Sequence, residues 1–247
     1  QPCSSWQLTP AEQAVRRAVA RRTTQHELNG DLVLGREIVR KVLLVCGVLS
    51  SLLHVAANVL GALRWEDYSS VSQTVSELMA IDAPSRPFVV PLFLAYGVLV
   101  IAFALGVWGS AGENRALRVT AGLLLGYGVV GLVGPFAPVH QRGVERSLTD
   151  TVHMIVTGAI VFVTLFAIGV GASALGKGFA RYSLSTLLVV LVFGALAGRD
   201  GSRIAAGLPT PWVGVTERIC IGGSLLWVVA LAIALLRAPA HGRTLGA

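Results

Sequence analysis

Four stretches of this chain, residues 42–63, 87–112, 119–141 and 151–176, contain no Asp, Glu, Lys or Arg. A helix needs about 20 residues to cross the hydrocarbon of a bilayer, and ionisable groups are costly there. Each of the four runs is long enough. A fifth run, from Tyr182 to Gly198, is shorter, and a sixth, from Val213 to Leu236, is interrupted near its start by Glu217 and Arg218. Both still read as spans. The expected fold class is all-α, a polytopic membrane bundle of six transmembrane helices. Composition agrees: 54% of residues are hydrophobic, 13% are charged and the mean hydropathy is +0.70, too apolar for a soluble globule.

The runs divide the chain into a basic N-terminal segment over residues 1–40, a membrane domain over 41–237 and a short tail over 238–247. A formal net charge of +7 raises the question of nucleic acid. The basic residues lie at chain ends and in short connectors with no aromatic-interleaved patch, so the expected partner is the lipid bilayer and not nucleic acid. Placing both termini in the cytoplasm puts thirteen Lys and Arg on the inner side, against seven outside: Arg64, Arg86, Arg142, Arg146, Arg199, Arg203 and the partly embedded Arg218. That excess predicts a plasma-membrane protein with both ends inside. Cys3, Cys46 and Cys220 are far apart and indicate neither a disulfide framework nor a thiolate metal site. No cofactor is indicated.

Ahead of the first span, Thr9, Pro10, Ala11 and Glu12 read as a capping box with Pro at the first helical position. Val15 and Val19 lie one turn apart among Arg16, Arg17, Arg21 and Arg22. The pattern fits a basic helix on anionic headgroups or a loosely ordered positively charged tail.

YSSVSQTVSELMA, residues 68–80, is polar yet lies between two spans. Val71, Val75, Leu78 and Met79 recur at helical spacing, with Ser72, Gln73, Ser76 and Glu77 opposite them. The period predicts a short amphipathic outer helix over residues 70–79, its N-terminus closed by Ser70 with Gln73 or by Thr74 with Glu77.

Polar residues inside spans map what such a helix would cover. The first span carries Gly47, Ser50, Ser51, His54, Asn58 and Gly61 along one stripe, which should face other helices. The fourth opens with Asp150 and His153, continued by Thr157, and the sixth carries Glu217 and Arg218. Asn58, His153 and Glu217 should lie roughly 6–9 Å below the outer boundary, with His54 about one turn deeper. With Ser76 and Glu77 above, this layer predicts a polar pocket opening toward the outer leaflet. Glu217 and Arg218 are sequence neighbours and diverge on a helix, so Arg218 is expected to pair with Asp150 or Glu77. Gly126, Gly128, Gly131 and Gly134 read as close-packing positions on the third span.

The SQTVSEL stretch after the first span, the His of DTVHM in the fourth and the Glu-Arg pair of VTERI in the sixth resemble a family of bacterial six-helix membrane proteins catalogued as DUF 998, a domain of unknown function. The resemblance covers about residues 40–237. It implies that Ser72, Ser76, Glu77, His153, Glu217 and Arg218 are recurrent polar positions, and it implies no activity. A weaker likeness, to the superfamily of alkaline ceramidases, rests on Ser50 and His54 four apart. It would imply a zinc hydrolase using His54, His153 and Asp150 or Glu217, but the His-x-x-x-His pair of that superfamily is absent. Three function classes follow: a module binding a lipid or small polar ligand, a metal-dependent intramembrane hydrolase, and a small-solute or proton-coupled transporter. The shallow polar layer, which forms no path across, favours the first.

Overall fold

The computed structural model describes residues 10–238, with side chains described at Arg16 and from Gly30 onward. Thr9 and the side chains of Glu12, Val15, Arg17, Val19, Arg21 and Arg22, on which the expected cap and basic face depend, lie outside the described residues. Among the described residues there are seven α-helices and no strand: α1 (Pro10–Ala62), α2 (Arg86–Ser110), α3 (Arg115–Val133), α4 (Leu148–Gly171), α5 (Lys177–Arg199), α6 (Gly201–Ala205) and α7 (Val213–Arg237). Six spans are long and apolar enough to cross a membrane: Gly30–Ala62, Arg86–Ser110, Arg115–Phe136, Leu148–Gly171, Lys177–Ala205 and Val213–Arg237. The chain is an all-helical, multi-pass membrane protein.

The first helix runs unbroken from Pro10 to Ala62, where the sequence suggested a short helix and a separate span. After Pro10 there is no proline before Pro84, and the two glycines ahead of Gly47, at positions 30 and 35, cost about 1 kcal/mol each in a segment otherwise rich in helix formers. The chain divides into two compact units, Gln1–Arg40 and Lys41–Ala247. Within the first, Glu37 accepts two bonds from Arg40, at 2.9 Å from Nε and 2.7 Å from Nη2.

In the second unit α2 packs on α3, α3 on α4 and α5 on α7. Their shared core contains Leu44, Phe103, Ile168, Trp227 and Leu231. Lipid hydrocarbon gives apolar helices no hydrophobic reason to associate, so close approach and interhelical hydrogen bonds hold the bundle. Ser51 Oγ donates to Leu225 O at 3.2 Å and Trp227 Nε1 to Ser183 Oγ at 2.9 Å. The α1 stripe is buried at Gly47, Ser50, Ser51, His54 and Gly61, and half-buried at Asn58. Of the four α3-end glycines only Gly128 is a close-packing position. A Cβ there would stand 2.7 Å from Ile101 and 3.2 Å from Gly97 O, while Gly126, Gly131 and Gly134 have nothing within 4 Å. In α4 and α5, 17% of the most apolar window is buried, against 28–33% in the other four spans. These two helices therefore leave the most surface uncovered by the rest of the bundle.

The connections α1–α2, α3–α4 and α5–α7 meet at one end, called the capped end below. Ile81 N donates to Val139 O at 2.8 Å, and Gly214 N to Val71 O at 3.0 Å. The helix expected over residues 70–79 is realised only as a 3-10 turn, Ser76–Met79. Its faces also differ from the amphipathic pattern: Val71 is 46% exposed, whereas Thr74 and Glu77 are buried beside Val75 and Leu78. These polar groups are turned inward because they find partners there, Thr74 and Glu77 in each other and Glu77 also in Arg142 from another connection.

Candidate functional site

Glu77 is the centre of the capped end. Its Oε2 accepts from Thr74 N at 2.7 Å and from Thr74 Oγ1 at 2.9 Å, closing the 3-10 turn on itself. The second half of its shell is Arg142, from the α3–α4 connection, whose Nε and Nη2 lie 2.6 and 2.9 Å from the two carboxylate oxygens. Burial alone would raise the Glu77 pKa, but Arg142 and the Thr74 bonds outweigh it and hold the carboxyl below its ordinary value. Arg142 also donates to Thr210 Oγ1 at 2.7 Å and Ser72 O at 2.8 Å. One guanidinium thus ties together all three connections. Bidentate recognition of a carboxylate with donors left over is what the planar fork allows and an ammonium does not.

Arg218 does not pair with Glu77 or Asp150. Its Nη1 donates to the carbonyls of Ser70 (2.9 Å), Gln73 (3.0 Å) and Gly214 (3.1 Å), and its Nη2 to Tyr68 Oη at 2.6 Å. Converging carbonyl dipoles take up the donors of this half-buried cation in place of a carboxylate, an arrangement hidden from a reading that counts acidic side chains. Tyr68 Oη in turn donates to Thr74 O at 2.7 Å. Burial pushes the Tyr68 hydroxyl up to about 12, with Arg218 pulling the other way.

Asp150 is likewise engaged. With Ser147 it caps α4, the carboxylate accepting from Ser147 N at 2.8 Å while Ser147 Oγ accepts from Thr149 N at 3.2 Å. Its other oxygen takes His140 N at 2.8 Å, and His140 Nδ1 lies 2.7 Å from Oδ2. His153, one turn on, places Nδ1 2.8 Å from Ala137 O. A carbonyl only accepts, so Nδ1 carries a proton, and in the neutral ring Nε2 is left as an acceptor. Glu217 uses Oε2 for Val75 N, at 2.6 Å.

Below this end lies a cavity of about 500 Å³. Ser76, Glu77, Asp150, His153 and Glu217 line it, as does His54, together with residues 139–144 and Arg146 of the α3–α4 connection. Asn58, Ser72 and Arg218 do not: Asn58 Nδ2 donates to His54 O, and Ser72 offers its carbonyl to Arg142. The walls continue down α4 to Thr164, α5 to Val190 and α7 to Leu225 through Ile160, Val161, Gly194, Cys220 and Ile221. From Asp150 to Thr164 the helix rises about 21 Å, two-thirds of a hydrocarbon core. His54 is packed edge-on to Phe93, with ring centroids 5.0 Å apart, and both its ring nitrogens are sealed without a partner. Among the described residues no three His, Cys, Asp or Glu gather as a metal-ion site. The triad of His54, His153 and Asp150 or Glu217 expected for a zinc hydrolase is not assembled, since Asp150 turns to His140 and Ser147.

Sequence reasoning placed Glu77, His153 and Glu217 at this end but missed Arg142, His140, Tyr68 and Thr210. The available signal was Glu77 itself: a carboxylate in a segment pressed on membrane helices needs a cation, and Arg142 stands in a facing connector. The sequence profile of one family, described as protein of unknown function (DUF998), matches residues 48–234. No curated protein and no solved structure matches the chain.

Proposed function

The chain belongs to the DUF998 family of proteins of unknown function, and from that premise we propose that it binds a lipid or other amphipathic molecule in the cavity between α4, α5 and α7. The observation carrying this reading is the graded lining. Charged groups are confined to the capped end, and the walls below them are mainly Ile, Val, Leu and Gly, broken only by uncharged polar side chains such as Thr157, Thr164 and Ser224. A ligand with a polar head and an apolar chain matches that gradient, and a cavity of this size is ordinary for a small-molecule site. In the proposed orientation both termini are cytoplasmic, so the head lies in the outer leaflet of the plasma membrane.

The test is native mass spectrometry of the protein released from lipid nanodiscs. The native chain should retain a bound amphipath. Thr157→Trp and Gly198→Trp, which place an indole on opposite walls, should lose it while keeping the native melting temperature. A native chain that emerges empty, or tryptophan variants that retain the ligand as well as it does, would overturn the reading.

A further inference from the structure

We propose that the cavity selects ligands whose head is a protonated amine, taken by Glu217 and His153. The proposal rests on the amphipath-binding reading above and adds the chemistry of the head.

Histidines aside, the acidic and basic side chains lining the cavity are Glu77, Asp150 and Glu217 against Arg142 and Arg146. Two of the three carboxylates are already satisfied. Glu77 has Arg142 and Thr74 on its oxygens, and Asp150 has His140 and Ser147. Glu217 differs. Only Oε2 is used, for Val75 N, and Oε1 makes no hydrogen bond. Nor is Oε1 sealed, because the buried side-chain atoms without a partner among the described residues are those of His54 and Asn58. It is therefore open to the cavity. The neighbouring cation makes no hydrogen bond to it: Arg218 directs Nη1 to three carbonyls and Nη2 to Tyr68. Arg146 is exposed and directs Nη2 to Gly201 O at 3.4 Å.

His153 adds a second vacancy of the same sign. With its proton fixed on Nδ1 by Ala137 O, the open Nε2 offers a lone pair. Glu217 and His153 are the fifth residue of α7 and the sixth of α4, so both lie about 6–8 Å below their helix starts. Glu217 and His153 thus present acceptors that lack donors. A carboxylate or phosphate would bring more acceptors and like charge to Glu217. An alcohol supplies one donor. An ammonium supplies three and neutralises the carboxylate in a water-poor site, where charge-assisted bonds are strongest. A lipid amine and a free alkylamine share this chemistry.

The experiment uses the full chain in phosphatidylcholine nanodiscs, whose head groups carry no N–H donor. Three probes with identical twelve-carbon tails bearing a diazirine end in an amine, an alcohol or a carboxylate, and cross-linked peptides are mapped by mass spectrometry. The amine should label residues 154–164 and 217–225 about tenfold above the alcohol, as one hydrogen bond to a charged group implies. Glu217→Gln keeps an acceptor for Val75 N and should bring amine labelling down to the alcohol level, leaving the alcohol unchanged. Amine labelling that survives in Glu217→Gln, or a carboxylate probe that outdoes the amine, overturns the amine proposal, while retained alcohol labelling preserves the cavity reading. If no probe labels these segments, the cavity reading itself falls. Excess phosphatidylethanolamine that displaces the amine probe assigns the head to a lipid, and failure to displace it assigns the head to a free amine.

Discussion

Glu77 is only 4% exposed and Arg142 keeps about a fifth of its side chain in contact with solvent. Breaking a buried pair from one side typically costs 3–5 kcal/mol, and the exposure of Arg142 lowers that to about 2–4 kcal/mol for Glu77→Gln or Arg142→Met. The double variant should recover part of the loss in a thermal-unfolding cycle, since neither charge is then stranded. Strict additivity would mean that the pair is not coupled. The pH dependence follows from the depressed Glu77 pKa. The unfolded state binds the proton more readily, so the contribution is complete above the ordinary 4.5 and is lost as pH falls below it. Melting temperature should therefore drop more steeply below that pH in the native chain than in Glu77→Gln. Glu77 could be singled out in the sequence because it is an acid between spans. Arg142 could not be paired with it, because 65 residues and two helices separate them and the sequence carries no distance.

At the scale of elements, the tightest junction is where α7 meets the α1–α2 connection. A Cβ on Gly214 would clash with both Ser70 O and Gln73 O, backbone atoms with nowhere to retreat. These same carbonyls hold Arg218, so Gly214→Ala should displace the cluster and cost about 3 kcal/mol, the upper part of the overpacking range. Gly131→Ala, in the same bundle but with nothing within 4 Å, should be neutral or raise stability by up to about 1 kcal/mol through helix propensity. Thermal melts of the two variants in one detergent check both values, and equal losses would mean that the close approach carries no constraint. The contrast also shows why periodicity misled at residues 70–79. Apolar spacing reports which residues would share a face if the segment were helical. It does not report that Glu77 would close a turn with Thr74 and that carbonyls left unpaired by the turn would be taken by an arginine from α7.

At the scale of the whole molecule, the spans were legible because hydrocarbon tolerates few charges, and that signal needs no partner to be read. The polar layer was legible in kind, since His153, Glu77 and Glu217 do line one cavity. Its wiring was not, because Arg142, His140 and Tyr68 stand in connectors, where a polar residue is unremarkable in sequence. Orientation belongs to this scale too. Six spans put the two ends of the membrane domain on one side, opposite the capped end, and assigning both flanking segments to that side divides the twenty Lys and Arg of the sequence thirteen to seven in its favour. Basic residues near span ends are retained in the cytoplasm, so the capped end, with Arg142 drawn inward to Glu77 and the cavity beneath it, should face outward. An alkaline phosphatase fused after Gly207, in the α5–α7 connection, should be active, and one fused after Arg237 should be inactive. The reverse result would invert the molecule, placing the cavity's polar head in the inner leaflet. Activity at both positions would instead show that α7 does not cross, and Glu217 could not then descend from the outer surface into the bundle.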